Sequence, residues 1–154
     1  MQKISRTNIF SASGPAKTAE YSGASSGSSL EKMTAACVTE LMNAATSFHK
    51  LHLKVTGIGS YAAHKALNEL YDALPGHADD LAEGFQGASE KLLEYADTAP
   101  RVVDSVPDAL SYLREMYSMV TGLQSKMPYS EIVNDLDTIK STINSIKYKL
   151  IFLK

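Results

Sequence analysis

The residues of this 154-residue chain best suited to chemistry fall between positions 52 and 83: His52, His64, Asn68, Asp72, Asp79 and Glu83. Twelve residues separate the two histidines, Asn68 follows His64 by four, and Asp79 and Glu83 repeat the four-residue step. Side chains four apart on a helix share one face, so each pair could hold a common ligand. Imidazole and carboxylate together are donors that a metal ion could share. One helix cannot close that set. Asn68 and Asp79 return to nearly the same face, yet at 1.5 Å per residue they lie about 16 Å apart along the axis. Metal–ligand bonds are about 2 Å long. Two copies of the helix packed antiparallel about their midpoint would bring His64 and Asn68 of one against Asp79 and Glu83 of the other, and a twofold axis makes that arrangement twice. The ordinary alternative is that His52, about 40° round the helix from Phe48, is a hydrogen-bonded histidine bordering a core stripe. His49 lies about 100° from Phe48, on the flank.

Other site patterns are missing from the sequence. No Glu precedes a His by three, as a di-iron centre inside one bundle requires. There is no His-Glu-x-x-His and no Gly-rich phosphate loop. The single cysteine, Cys37, excludes an internal disulfide and a multi-cysteine zinc site, and its place in an apolar stripe suits it to packing.

The elements that must carry these residues read as helices. Ser28-Ser29-Leu30-Glu31 has the Ser-x-x-Glu form of a capping box. From there Leu30, Met33, Cys37, Leu41, Ala44, Phe48, Leu51 and Val55 recur in steps of three or four, one face of a helix ending near Gly57. Ser60 is placed to cap a second helix with Ala63, Leu67, Leu70, Leu74, Ala78, Leu81 and Phe85 inside. Pro75-Gly76 should kink that helix, or else break it, because a mid-helix proline costs about 3 kcal/mol. Ser89–Tyr95 reads as a short linking helix. Asp104, Ser105 and Pro107 signal a third start, with Leu110, Leu113, Tyr117, Val120 and Leu123 inside, and Ser130 a fourth helix repeating Ile132, Leu136, Ile139, Ile143, Ile146, Leu150 and Leu153. No segment alternates with the two-residue period of a half-buried strand. Four one-sided helices predict an all-α, antiparallel four-helix bundle over residues 30–154. A coiled-coil seam on the last helix is the lesser alternative, since its stripe spans barely three heptads.

Residues 1–29 differ in kind. Ten of the nineteen residues from Ser11 to Ser29 are Ser or Gly, a composition too poor in apolar surface to offset its ordering entropy. The expectation is a flexible N-terminal arm, either frayed or ordered on a docking partner. Its formal charge is +2 within a net −2 for the chain, so the helical body is acidic and no nucleic-acid-coating polycation. No apolar run nears the roughly 18 residues of a membrane span, and the start lacks a signal-peptide core. These features predict a cytoplasmic protein that does not engage a membrane.

The stretch His52-Leu-Lys-Val-Thr-Gly57, Ala63-His64-Lys-Ala-Leu-Asn68 through Asp72, and His77-Ala-Asp79-Asp-Leu-Ala-Glu83 resembles the ferroxidase pattern of the mini-ferritins called DNA-binding proteins from starved cells (Dps). His52, His64, Asp79 and Glu83 match that family by type and position. Asn68 stands where the family has Asp, and Leu53 where it usually has Trp. The resemblance covers about residues 30–154, and its specific part is His52–Glu83. It implies a ferritin-like bundle assembled as a homo-oligomer with a twofold interface, a hollow dodecamer. It also implies oxidation of ferrous iron, preferably by peroxide, and storage of the ferric mineral. Non-haem iron (Fe2+/Fe3+) would be bound by His52, His64, Asp79 and Glu83, with Asn68 and Asp72 as the altered and the substitute positions. Losing an anionic ligand at Asn68 implies weakened oxidation. DNA binding through terminal arms, which the family often shows, would draw on only +2 per arm. The segment Leu67–Gly87 also resembles small ferritin-like proteins of tailed bacteriophages, which implies the alternative of a virion or assembly component docking through its arm.

Overall fold

The computed structural model describes residues 28–153, and within them the chain forms four helices and no strand. Residues 1–27, which hold nearly all of the expected arm, lie outside the described residues. Helix α1 spans Ser29–His52, α2 Ser60–Ser89, α3 Val106–Gln124 and α4 Ser130–Phe152. The capping box at the start of α1 is complete: the Ser28 hydroxyl accepts from the Glu31 N–H, and the Glu31 carboxylate accepts from the Ser28 N–H at 2.7 Å. Helix α1 stops at His52, three residues before the apolar stripe runs out. Gly57 and Gly59, at φ +89° and +77°, make the turn that follows, and an L side chain would be strained at either.

Two local expectations are corrected, and of the two alternatives at Pro75 the break is excluded. Gly59, not Ser60, occupies the N-cap of α2, and no side chain caps that end. Pro75 does not break α2, which runs thirty residues with the proline inside. Pro75 and Gly76 are exposed, and the buried Leu70, Leu74, Ala78 and Leu81 around them hold the helix against its neighbours. Ser89–Tyr95 is no separate helix: α2 continues to Ser89, Glu90 closes it in the left-handed conformation at φ 55°, and an irregular crossover follows to Asp104. Ser105 caps α3 as its sequence implies, its hydroxyl accepting from the Asp108 N–H.

The helices pack in a ring, α1 on α2, α2 on α4, α4 on α3 and α3 on α1. The last helix thus lies in the bundle rather than in a separate coiled-coil seam. Its inward line of Ile132, Leu136, Ile139, Ile143, Ile146 and Leu150 joins Phe48, Leu67, Leu74, Phe85, Leu113 and Met116 in one core, whereas Leu153, expected to end that line, lies past the helix and is exposed. Cys37 is fully buried there. Burial pushes its thiol up to about 12, which keeps it out of thiolate chemistry. Between α2 and α4, Glu69 pairs with Lys149, His77 meets the Thr142 hydroxyl at 3.0 Å, and Gly84 lies beside Ile132 and Asp135. Between α1 and α2, His52 meets His64, and the capping Glu31 pairs with Lys91 just past the end of α2. The crossover is tied to α1: Asn43 donates to Thr98, the Ser47 hydroxyl donates to the Arg101 carbonyl, and Arg101 pairs with Glu40. Its guanidinium also lies 4.4 Å from the centre of the Tyr112 ring. These contacts set α1 and the N-terminal half of α2 side by side, where the candidate histidines sit.

Candidate metal-binding face

Helix α1 delivers His52 on its last turn and α2 delivers His64 on its second, joined by the glycine turn. Each imidazole reaches across to the other residue's backbone. His52 Nδ1 lies 3.0 Å from the His64 carbonyl oxygen, and His64 Nδ1 lies 3.1 Å from the His52 carbonyl oxygen. A carbonyl oxygen only accepts, so both Nδ1 atoms must carry the proton and donate it. The neutral ring then keeps its lone pair on Nε2, and backbone fixation of Nδ1 is how metal-binding histidines are commonly oriented. No other hydrogen bond engages either ring among the described residues. His52 is 7 % exposed, and His64 is half-buried.

The two rings stack with centroids 3.7 Å apart and planes inclined by 24°. Planes so nearly parallel intersect far beyond the roughly 2.0–2.1 Å of a metal–imidazole bond. The pair therefore suits two separate ions, one per ring, better than a single shared one.

Tyr71 extends this arrangement. Its ring stacks on His49 at 4.0 Å and meets His52 edge-on at 5.1 Å. Its hydroxyl donates to Asn68 Oδ1 at 3.1 Å, while Asn68 Nδ2 donates to the Asp72 carboxylate at 2.6 Å. Asn68 thus has both ends of its amide engaged and fixes Asp72 one turn further along. Asp72 lines two surface depressions, of 530 and 390 Å³, that extend from Lys65 to Pro75. Asp79 and Glu83 are exposed. Asp79 lies near Tyr95, whose phenol is raised by burial and further by that carboxylate.

Within one chain the structure therefore brings His52 to His64, and Asn68 to Asp72, but does not bring Asp79 or Glu83 to the histidines. Among the described residues no group of three or more His, Cys, Asp or Glu gathers to hold a metal ion. Sequence spacing missed Tyr71 and the two backbone carbonyls. Tyr71 follows Asn68 by three on the same helix, a visible spacing, whereas the carbonyls leave no trace in side-chain identity.

Residues 52–150, from the end of α1 to the last buried turn of α4, match a family described as of unknown function (DUF5856). The chain belongs to that family. All six candidate residues fall inside the matched region. No curated protein and no solved structure matches the chain. No helix among the described residues is long and apolar enough to cross a membrane.

Proposed function

We propose that this member of the DUF5856 family is a Dps-like mini-ferritin whose ferrous-iron site is split between two copies of the chain. His52 and His64 of one copy supply imidazoles, and Asp79 and Glu83 of the other supply carboxylates. The observation that carries this reading is the reciprocal His52–His64 lock, which leaves both Nε2 lone pairs unspent. The ring of helix contacts supports an antiparallel, ferritin-like arrangement. Glu69, His77 and Gly84 of α2 meet successively earlier residues of α4, and a single long crossover joins α2 to α3, as ferritin-like bundles have.

In this reading iron is the substrate. One ion at each imidazole gives two ferrous ions, whose two electrons reduce one peroxide to two waters with uptake of two protons. The chain's own work is to fix the imidazoles, to offer carboxylates to the more highly charged ferric product, and to hold Asp72 nearby through Asn68. Asn68 cannot supply the negative charge of an aspartate, so oxidation is slower than a carboxylate there would give.

Anaerobic ferrous titration followed by peroxide tests the proposal. The wild type should show an iron-dependent absorbance rise that His64→Ala/Glu83→Ala lacks. Identical traces for the two proteins would end the reading. Engagement of both ends of the Asn68 amide favours a second one, in which the bundle persists as a virion or assembly component without iron oxidation. Native protein that is free of iron and bound through residues 1–29 to another protein would be its signature.

A further inference from the structure

The outward stripe of α2 is lopsided in charge. Its N-terminal half presents His64, Lys65 and Asn68, and its C-terminal half presents Asp79 and Glu83, with Asp72 between them. From Asn68 to Glu90 the helix contains no lysine or arginine at all. Glu69 is matched inside the chain by Lys149, but Asp79 and Glu83 make no ion pair or hydrogen bond among the described residues. Next to Asp79, Met42 and Tyr95 are 46 % and 48 % exposed and line a depression of 310 Å³.

A second copy laid antiparallel on this stripe faces the lysine-and-histidine half with the carboxylate half, so the charges are complementary in direction. They do not balance. Each half-interface sets one lysine against three carboxylates, a formal −2 that opposes contact until divalent cations bind. Like charges brought together at an interface oppose association, and the exposed apolar groups beside them are few.

Resting on the split-site reading above, we propose that divalent cations hold the two copies together: the apo chain stays apart on this face, and filling the half-sites makes the dimer. The metal is then a signal for assembly as well as a cargo. Iron-free chain would not close the site, and the rise of ferrous iron would build it.

Sedimentation velocity on the full chain, with cobalt(II) as a redox-inert probe, tests this. In chelator the chain should sediment as separate copies. Cobalt should drive association, with a log–log slope of dimerisation against free cobalt of about four, one ion for each imidazole of the two half-sites. His64→Ala and Glu83→Ala should each lose the cobalt response, while an equimolar mixture of the two should regain it. That pairing restores one intact half-site, with histidines from the Glu83→Ala chain and carboxylates from the His64→Ala chain. Circular dichroism matching the wild type controls for folding. A dimer equally stable in chelator and in cobalt would overturn metal-driven assembly while leaving the split site standing, provided the mixture still binds cobalt where each variant alone does not. Failure of the mixture to recover cobalt binding would overturn the split site itself.

Discussion

The two halves of α2 treat their polar residues in opposite ways. In the N-terminal half, every candidate is engaged within the chain: His64 with the His52 carbonyl, Asn68 with Tyr71 and Asp72. In the C-terminal half, Asp79 and Glu83 project from an exposed face and meet no hydrogen-bond partner among the described residues, though the inward Leu74, Ala78 and Leu81 are fully buried. Helical periodicity explains the inward line in both halves, because burial decides it. It does not set the carboxylates, which are exposed and make no ion pair or hydrogen bond among the described residues. Order in one half and open carboxylates in the other suit the split site proposed above.

The largest expected contrast runs across α2 itself. Leu74→Ala, at a fully buried position, should lower unfolding free energy by about 2–5 kcal/mol through lost burial and the cavity left behind. Asp79→Ala and Glu83→Ala should each change it by no more than about 0.5 kcal/mol in chelator, as surface substitutions do. Urea denaturation of the three variants makes the comparison. A large loss at Asp79 or Glu83 would mean that the carboxylates have a structural task in the single chain, and the division drawn above would fail.

Next in size is Asn68→Asp. Supplying the carboxylate that the Dps pattern has at this position should raise ferrous affinity or oxidation rate by about 10–100-fold. The same change sets two carboxylates four apart on the helix and removes the amide donor to Asp72, so stability should fall by about 0.2–0.5 kcal/mol. Stopped-flow oxidation and urea melts should therefore move in opposite directions. A variant no faster than wild type would mean that the amide is not what limits the site.

How far the sequence could be read follows the same division. The four helices, their inward stripes, the Ser28 box and the Ser105 cap were legible because each depends on local spacing or on one side chain meeting a nearby N–H. The start of α2 was misread at Ser60, since a glycine cap works through backbone dihedrals rather than through a side chain. Pro75 did not break α2, because packing of Leu70, Leu74 and Ala78 outweighs one lost backbone bond. The short helix expected at Ser89–Tyr95 gave way to a longer α2 and a crossover held by Asn43, Ser47 and Glu40, contacts more than fifty residues distant in sequence. The histidine spacing was visible, but its lock was not, because each ring is held by a carbonyl whose position only the folded turn determines.

That lock supplies a smaller prediction. His52→Ala and His64→Ala should not be additive in stability, since each removes one of two bonds across a shared contact. A coupling of about 1 kcal/mol is expected from a double-mutant cycle. Strict additivity would show that the two bonds form independently.

The smallest expected effect concerns His77, which belongs to neither half's outward stripe. It faces α4, where its Nε2 meets the Thr142 hydroxyl. Burial lowers its pKa, against the opposing pull of Asp80 and Asp135. A histidine that resists protonation in the fold is protonated more readily once unfolded, so the unfolded state binds the extra proton on acidification. Stability should therefore fall as pH drops below the ordinary histidine value of about 6.5, and the loss should level off once pH passes below the depressed folded value. His77→Gln removes this titration. In chelator, its stability should decline less steeply than wild type through that window, and the two curves should run parallel above it. Parallel curves throughout would mean that His77 takes its proton as easily in the fold as out of it. Its side of α2 would then be as open to water as the carboxylate stripe.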